Sequence, residues 1–125
     1  MNDQRKPASV YGRGEEPDPR FSLANERTAL AWMRTALALV AAGVAVISIS
    51  SLDTVPRWTA LVGAVSCCGG GLLAWRAVAG WARVERALRL RGALPSPRAL
   101  ATLAGGVIVF AALMIVLGVV EMSRR

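Results

Sequence analysis

The feature that most constrains this chain is a set of three long segments that contain no charged residue. They run from Thr35 to Leu52, from Trp58 to Trp75 and from Leu100 to Val120. At about 1.5 Å per helical residue, segments of this length cross or nearly cross a hydrocarbon core of about 30 Å. A helix in a soluble bundle would show a polar face, and these segments show none. The sequence therefore predicts an all-α membrane protein with three transmembrane helices.

Composition, together with the positions of Pro and Gly, divides the chain into a tail and one domain. Of the 125 residues, 54% are hydrophobic, against roughly 45–50% in ordinary soluble domains. The first twenty residues lack the apolar core of a secretory signal, so we expect the N-terminus to be retained. Residues 1–17 are rich in Pro, Gly and charge, with only Val10 and Tyr11 as bulky apolar residues. They are predicted to form a disordered tail, and residues 18–125 a three-span membrane domain.

The first helix is predicted to begin before the first span. Asp18 suits the N-cap and Pro19 the first helical position, where its missing N–H does no harm. From Phe21 apolar and charged residues alternate in an amphipathic pattern, and no Gly or Pro follows before Gly43. We therefore expect an amphipathic N-terminal helix at the cytoplasmic interface that continues into the first span.

The second helix is predicted to begin near Pro56 or Arg57, after a short outer turn containing Asp53 and Thr54. So short a turn makes the first two spans antiparallel neighbours. Beyond Trp75 we expect this helix to continue. The residues predicted to end it are Gly92, Pro95 and Pro97.

Positive charge is distributed unevenly between the two sides of the spans. Most of it lies in two groups: Arg5, Lys6, Arg13, Arg20, Arg27 and Arg34 before the first span, and Arg76, Arg83, Arg86, Arg89, Arg91 and Arg98 between the second and third. The first loop holds Arg57, and the C-terminal tail ends in a pair of arginines. The positive-inside rule then predicts a cytoplasmic N-terminus and second loop, with the C-terminus outside.

Small residues recur every fourth position within the spans, a spacing that lets helix backbones approach closely in lipid. The positions are Gly63, Cys67 and Gly71 in the second span, and Thr102 and Gly106 in the third. We expect these faces to serve helix packing and self-association into a homo-oligomer. Cys67 and the adjacent Cys68 are predicted to be small packing residues, because neighbouring cysteines do not easily form an unstrained bridge.

The chain offers little for catalysis. It has no histidine, no metal-ligand cluster, no phosphate-binding glycine loop and no Ser or Cys beside a plausible base. We therefore expect no enzymatic activity, no cofactor, no metal and no nucleic-acid partner. The partners expected are the lipid bilayer, further copies of the chain and a phosphate-containing ligand.

Charged residues at the cytoplasmic boundary form the candidate site. Arg27 and Arg34 are two turns apart and share a helix face, and Arg76 and Arg83 repeat that relation after the second span. These arginines either only enforce topology and touch lipid phosphates, or belong to a built polar network. The acid Glu26 favours the network, because topology needs only positive charge.

The residues from Arg20 to Thr35 read RFSLANERTALAWMRT. This segment resembles the signature of the YidH family of small bacterial inner-membrane proteins, whose core reads roughly L-A-N-E-R-T-x-L-A-W-x-R-T. Trp75-Arg76, the segment from Trp81 to Leu88 and Leu94-Pro95 also resemble the family pattern, whereas Ala29 stands where the family often has a bulky aromatic residue. The resemblance covers about residues 20–121 and implies a location in the bacterial inner membrane.

The same domain is similar to the membrane part of the eukaryotic vacuolar transporter chaperone, which is oligomeric and guides polyphosphate through the membrane with basic residues. By motif position this similarity extends to Arg20, Glu26, Arg27 and Arg98. Residues and resemblance together leave three functions open: a conduit or gate for phosphate-containing anions, a membrane scaffold or accessory subunit, and an anionic-lipid binder. The full candidate set is Arg20, Asn25, Glu26, Arg27, Arg34, Arg76, Arg83 and Arg98.

Overall fold

The computed structural model describes residues 5–52, 55–96 and 98–124, apart from the side chains at positions 98, 99, 121 and 124. These residues form a short helix, α1 (Ala8–Tyr11), and three long ones, α2 (Pro19–Ile49), α3 (Trp58–Arg89) and α4 (Arg98–Arg124). No strand occurs in the described ranges. Each long helix contains a segment long and apolar enough to cross a membrane. The predicted all-α membrane protein with three transmembrane helices is therefore confirmed.

Helix α2 begins at the predicted Asp-Pro pair. The Asp18 carboxylate accepts a 2.9 Å hydrogen bond from the Arg20 amide, and Pro19 takes the first helical position. The helix then runs without a break through Arg34 to Ile49. Its 31 residues extend about 46 Å, which exceeds the hydrocarbon thickness. The amphipathic start and the first span are one helix, as predicted.

Helix α3 is also continuous, from Trp58 to Arg89. It therefore begins one residue after the predicted position and runs beyond the second span as expected. Its end is closed by a hydrogen bond of 2.9 Å from the Gly92 amide to the Ala87 carbonyl. This closure is a Schellman motif, which requires a left-handed residue, and Arg91 supplies it with a φ of 51°. The predicted turn and terminating residues Asp53, Thr54 and Pro97 lie outside the described residues.

Helices α2 and α3 pack antiparallel along a seam of small residues. Gly43 faces Gly63, and two turns away Ala36 faces Gly70. A Cβ placed at Gly63 would lie 2.6 Å from the Gly43 carbonyl oxygen, and one at Gly70 would lie 2.7 Å from the Ala36 carbonyl oxygen. Real Cβ contacts are not this short, so the seam requires glycine at these positions. Such close backbone approach is a main source of helix association in lipid.

The seam departs from the predicted spacing of four. A Cβ at Gly71 would have no atom within 4 Å, whereas Gly63, Gly70 and Ala77 are buried. The seam between α2 and α3 therefore does not use Gly71, because four residues turn a helix by about 400°, so a four-residue repeat drifts off the interface, whereas a seven-residue repeat stays on it. The role of Gly71 in self-association stays a prediction.

Two polar side chains of α3 contact main-chain carbonyls of α2 across the seam. Ser66 Oγ donates a 2.8 Å hydrogen bond to the Leu39 carbonyl, and Cys67 Sγ lies 3.7 Å from the Val40 carbonyl. Both cysteines are free, and Cys67 packs in the seam as predicted. Cys68 is exposed, so within the described chain the packing prediction does not hold for it.

Helix α4 belongs to a second unit, residues 95–125, and is described by itself. Most of its described side chains are apolar and exposed, which suits contact with lipid or with another helix. The predicted role of Gly106 in helix packing or self-association stays a prediction.

The N-terminal segment differs from the predicted disordered tail. Residues 8–11 form α1, which packs on α3, and Val10 has no exposed surface. The prediction considered only what the segment buries by itself, whereas its two bulky residues, Val10 and Tyr11, dock on another helix. We call residues 5–17 the N-terminal strap.

Candidate functional site

A buried ion pair lies where α2 begins and α3 ends. Glu85 and Arg89 occupy successive turns of α3, and their side chains are only 3% and 4% exposed. The Arg89 Nε atom lies 3.7 Å from Glu85 Oε1. Removing two charges from water costs several kcal/mol per ion, so a pair of this kind needs further hydrogen bonds.

Helix α2 supplies those bonds to Glu85. Ser22 Oγ donates a 2.9 Å hydrogen bond to Oε1, and Asn25 Nδ2 lies 3.5 Å from Oε2 while it donates a 3.1 Å bond to the Trp81 carbonyl. Ser22 lies two heptads before the seam residue Ala36, so it faces α3. The Glu85 carboxylate is thus satisfied by the neighbouring helix.

Of the predicted site residues whose side chains the structure describes, only Asn25 belongs to this network. Ser22, Glu85 and Arg89 were missed. The available signal was the spacing of small and polar residues along α2, together with the four-residue separation of Glu85 and Arg89, which suits an ion pair on one helix face.

The strap covers the other side of the pair. The Arg89 guanidinium lies 4.7 Å from the centre of the Tyr11 ring, within cation–π range, and Arg5 approaches the same ring at 5.0 Å. Tyr11 also meets Trp81, with ring centres 6.4 Å apart. The Arg89 Nε atom donates no hydrogen bond to any described residue. The strap therefore packs against the Arg89 guanidinium without accepting a hydrogen bond from its Nε atom.

Arg20, Arg27 and Arg34 form what we call the arginine stripe. They recur every seven residues and are all exposed. Each stands two positions before a residue of the α3-facing repeat (Ser22, Ala29 and Ala36), about 200° away around the helix. The stripe therefore lies on the side of α2 opposite α3. Within the described residues, none of the three guanidinium groups makes a hydrogen bond or an ion pair.

Glu26, Arg76 and Arg83 also lie outside the buried network. Glu26 is exposed and makes no hydrogen bond or ion pair with a described residue, so the structure does not join it to Arg27 or Arg34. Adjacent helical residues point about 100° apart, which separates Glu26 from the stripe. Arg76 and Arg83 are exposed on α3, and Arg83 Nε donates a 3.2 Å bond to its own helix at Ala79. Arg98 is the first residue of α4.

Sequence comparison places these features in a family. A family model described as "Domain of unknown function (DUF202)" matches residues 20–87, a range that contains the arginine stripe and the buried pair's Glu85. The chain belongs to the DUF202 family. The predicted membership of the YidH family is confirmed by this match together with the relatives described next.

Two relatives define how far the similarity of this DUF202 protein extends. The chain is 41% identical over 107 residues to Inner membrane protein YidH of Escherichia coli K12, covering 86% of this chain and 91% of that protein. It is 38% identical over 83 residues to an uncharacterized protein of Mycobacterium tuberculosis H37Rv, covering 66% of each. No solved structure matches the chain significantly. Together with its three spans, this similarity identifies an integral, multi-pass inner-membrane protein.

Several hydroxyl groups within the spans already donate hydrogen bonds to main-chain carbonyls. Thr35 and Ser48 each donate to a carbonyl of their own helix, at 3.4 and 2.9 Å, and Thr59 donates to the Pro56 carbonyl just before α3, at 2.7 Å. Ser66 is used in the seam. The α2–α3 pair therefore offers no continuous row of free polar groups along its described length.

Two cavities lie near the polar end of the pair. One, of about 270 Å³, is bounded by residues 15–18 and Phe21 on one side and by Leu88, Arg89 and Arg91 on the other. The second, of about 220 Å³, is an apolar groove between α2 and α3 near Ala29 and Ala77. The first cavity brings both signs of charge together, so it is the more suitable for a polar ligand.

Proposed function

We propose that this DUF202 protein binds phosphate-containing anions at the cytoplasmic face of the inner membrane through the arginine stripe. The observation that carries the proposal is the exposed row of Arg20, Arg27 and Arg34, whose guanidinium groups make no hydrogen bond or ion pair among the described residues. Guanidinium groups match phosphate oxygens with paired hydrogen bonds, which makes arginine well suited to such ligands.

The spacing favours an extended ligand. Successive arginines of the stripe are about 10.5 Å apart along the helix, and the whole row extends about 21 Å. A chain of linked phosphates, or a row of lipid headgroups, fits this arrangement better than one isolated phosphate. The positive-inside rule supports a cytoplasmic position, because the stripe shares its end of α2–α3 with most of the positive charge.

A conduit or gate for such anions requires several copies of the chain. The α2–α3 seam is closed by Gly43 and Gly63, and the hydroxyls of the spans bond to main-chain carbonyls. A polar path between these two helices is therefore unsuitable, and we propose that a path forms between subunits. Open small-residue surfaces at Gly69 and Gly71 are compatible with such self-association.

The test is binding of a labelled short-chain polyphosphate to the purified full-length protein in nanodiscs of zwitterionic lipid. Replacing Arg27 and Arg34 by Gln should weaken binding by about threefold to tenfold per arginine, as expected for exposed charge contacts worth up to about 1 kcal/mol or slightly more. The matched control is Arg57→Gln, an exposed arginine beside the start of α3 at the opposite end. It should leave the affinity unchanged.

A second arm separates the two sources of phosphate. If lipid headgroups occupy the stripe, adding anionic lipid to the nanodisc should compete with polyphosphate and lower its apparent affinity. If the ligand is a free anion, binding should persist. A protein that binds neither, but whose stripe variants fail to retain a partner protein in native membranes, would instead be a scaffold or accessory subunit.

A further inference from the structure

Three arginines, two in the last turn of α3 and one just after it, contact the N-terminal strap. Arg86 Nε donates a 3.2 Å hydrogen bond to the Ser9 carbonyl, and Arg91 Nη2 lies 2.7 Å from Glu15 Oε2. Arg89 stacks on Tyr11, as described above, and its carbonyl accepts a 3.1 Å bond from the Glu15 amide. We call Arg86, Arg89 and Arg91 the α3 arginine cluster. The strap therefore lies directly across this cluster.

The strap is held weakly by its charges and more firmly by two side chains. The Arg91–Glu15 pair is 83% and 75% exposed, so solvent screens it and it contributes little. Val10, in contrast, is fully buried, and Tyr11 is packed between Arg89 and Trp81. Docking thus depends mainly on these two residues, few enough for the strap to detach without disturbing the α2–α3 seam.

The docked strap leaves hydrogen-bonding capacity unused beneath it. Arg89 is 5% exposed, lines the cavity of about 270 Å³ and donates no hydrogen bond from Nε to any described residue. Its nearest carboxylate oxygen, on Glu85, is 3.7 Å away, whereas charge-assisted hydrogen bonds measure about 2.7–2.9 Å. A nine-tenths buried guanidinium beside a cavity, ion-paired at 3.7 Å but with no hydrogen bond from Nε to a described residue, is an unusual feature, since buried polar groups are generally bonded.

We propose that the α3 arginine cluster is a second anion site and that the strap is its built-in competitor. The strap occupies the cluster with Tyr11 and Glu15, and a phosphate-containing anion binds the same arginines when the strap lifts. The chemical class of the anion rests on the proposed function, whereas the covering of the cluster rests on the contacts alone. Strap docking and anion binding are then mutually exclusive, so each weakens the other.

The fraction of molecules with a lifted strap determines how strongly the strap weakens anion binding. If the strap is lifted in about one molecule in ten, the apparent affinity of the cluster is about tenfold weaker than its intrinsic affinity. A variant with a permanently lifted strap should therefore bind the anion about tenfold more tightly.

The first experiment uses Val10→Ser in the full-length protein, with Ala8→Ser as the control because Ala8 is exposed on the same helix. With short-chain polyphosphate as the probe, Val10→Ser should bind about tenfold more tightly than wild type, and Ala8→Ser should match wild type. Adding Arg91→Gln to Val10→Ser should remove the gain without touching the buried pair. Equal affinity of Val10→Ser and wild type would overturn the proposal.

The second experiment needs no mutation. Hydrogen exchange of wild-type protein is measured with and without polyphosphate at the Glu15 amide, which donates to the Arg89 carbonyl when the strap is docked. Faster exchange on addition of polyphosphate supports displacement, and unchanged or slower exchange contradicts it. If stripe variants lose binding but Val10→Ser has no effect, the second site is refuted and the proposed function stands. If Val10→Ser binds polyphosphate more tightly and the stripe variants bind it as well as wild type does, the proposed function of the stripe is refuted and the second site stands.

Discussion

Glu85 and Arg89 form a buried ion pair on one helix, with 3.7 Å between the Arg89 Nε and Glu85 Oε1 atoms. Each partner is attached to a different part of the chain. Glu85 accepts a hydrogen bond from Ser22 on α2, and Arg89 stacks on Tyr11 of the strap. The pair therefore connects three segments that are far apart in sequence, and it organises the end of the protein at which the arginines converge.

Removing one partner of this pair should lower the free energy of unfolding much more than removing both. Glu85→Ala leaves Arg89 as an uncompensated buried charge and deprives Ser22 and Asn25 of their acceptor. We expect a loss of about 3–5 kcal/mol in the free energy of unfolding, measured in mixed detergent micelles. The double change Glu85→Met with Arg89→Met should recover most of this loss, because no unpaired charge then remains. A double variant as unstable as the sum of the single variants would contradict a paired arrangement.

The glycine seam predicts opposite effects for two glycines of α3. Gly63→Ala places a methyl group 2.6 Å from the Gly43 carbonyl oxygen, so the helices must separate, at an expected cost of about 1–3 kcal/mol in unfolding free energy. Gly71→Ala meets no atom within 4 Å and should stabilise α3 by about 0.5–1 kcal/mol, the usual gain over glycine within a helix. Thermal unfolding in detergent compares the two. Similar shifts in both would show that the seam lies elsewhere.

The long helices were predictable because their signals are local. Charge-free segments of membrane length mark the spans, and the Asp18-Pro19 pair marks the start of α2 through rules that involve only neighbouring residues. The continuity of α2 and α3 beyond the spans also follows from the lack of strong helix breakers before Gly92.

The buried pair and the strap were not predictable in the same way. Ser22 and Glu85 are 63 positions apart, so their contact depends on the register between two helices. Glu85 stands among arginines, any of which suits it as a partner on sequence grounds. Glu26 looked like the acid of the network, yet it flanks the α3-facing side of α2 at the groove lined by Ala77 and Trp81, whereas Asn25, on the other flank, makes the contacts to Trp81 and Glu85. The strap was missed because its apolar residues are buried by α3.

Orientation is tested by cysteine accessibility in intact cells. After Cys67 and Cys68 are replaced by Ala, single cysteines are introduced at Ser9, Ser51 or Ser96, all of which are exposed. The positive-inside rule predicts that an impermeant maleimide labels the cysteine at Ser51 but labels the other two only after the cells are permeabilised. Labelling of Ser9 and Ser96 variants in intact cells, with protection at Ser51, would reverse the assigned topology.

The phosphate-binding role of the arginine stripe is tested most directly by a substitution that conserves charge. Changing Arg20, Arg27 and Arg34 together to Lys keeps the formal net charge of +7 but removes the planar groups that bind phosphate through two hydrogen bonds. The measurement is the Kd for short-chain polyphosphate in zwitterionic nanodiscs, with Arg57→Lys as the matched control. A stripe that recognises phosphate predicts binding about tenfold weaker in the triple variant and unchanged in the control. Wild-type affinity in the triple variant would mean that these arginines form only a diffuse positive belt, and would contradict the proposed function.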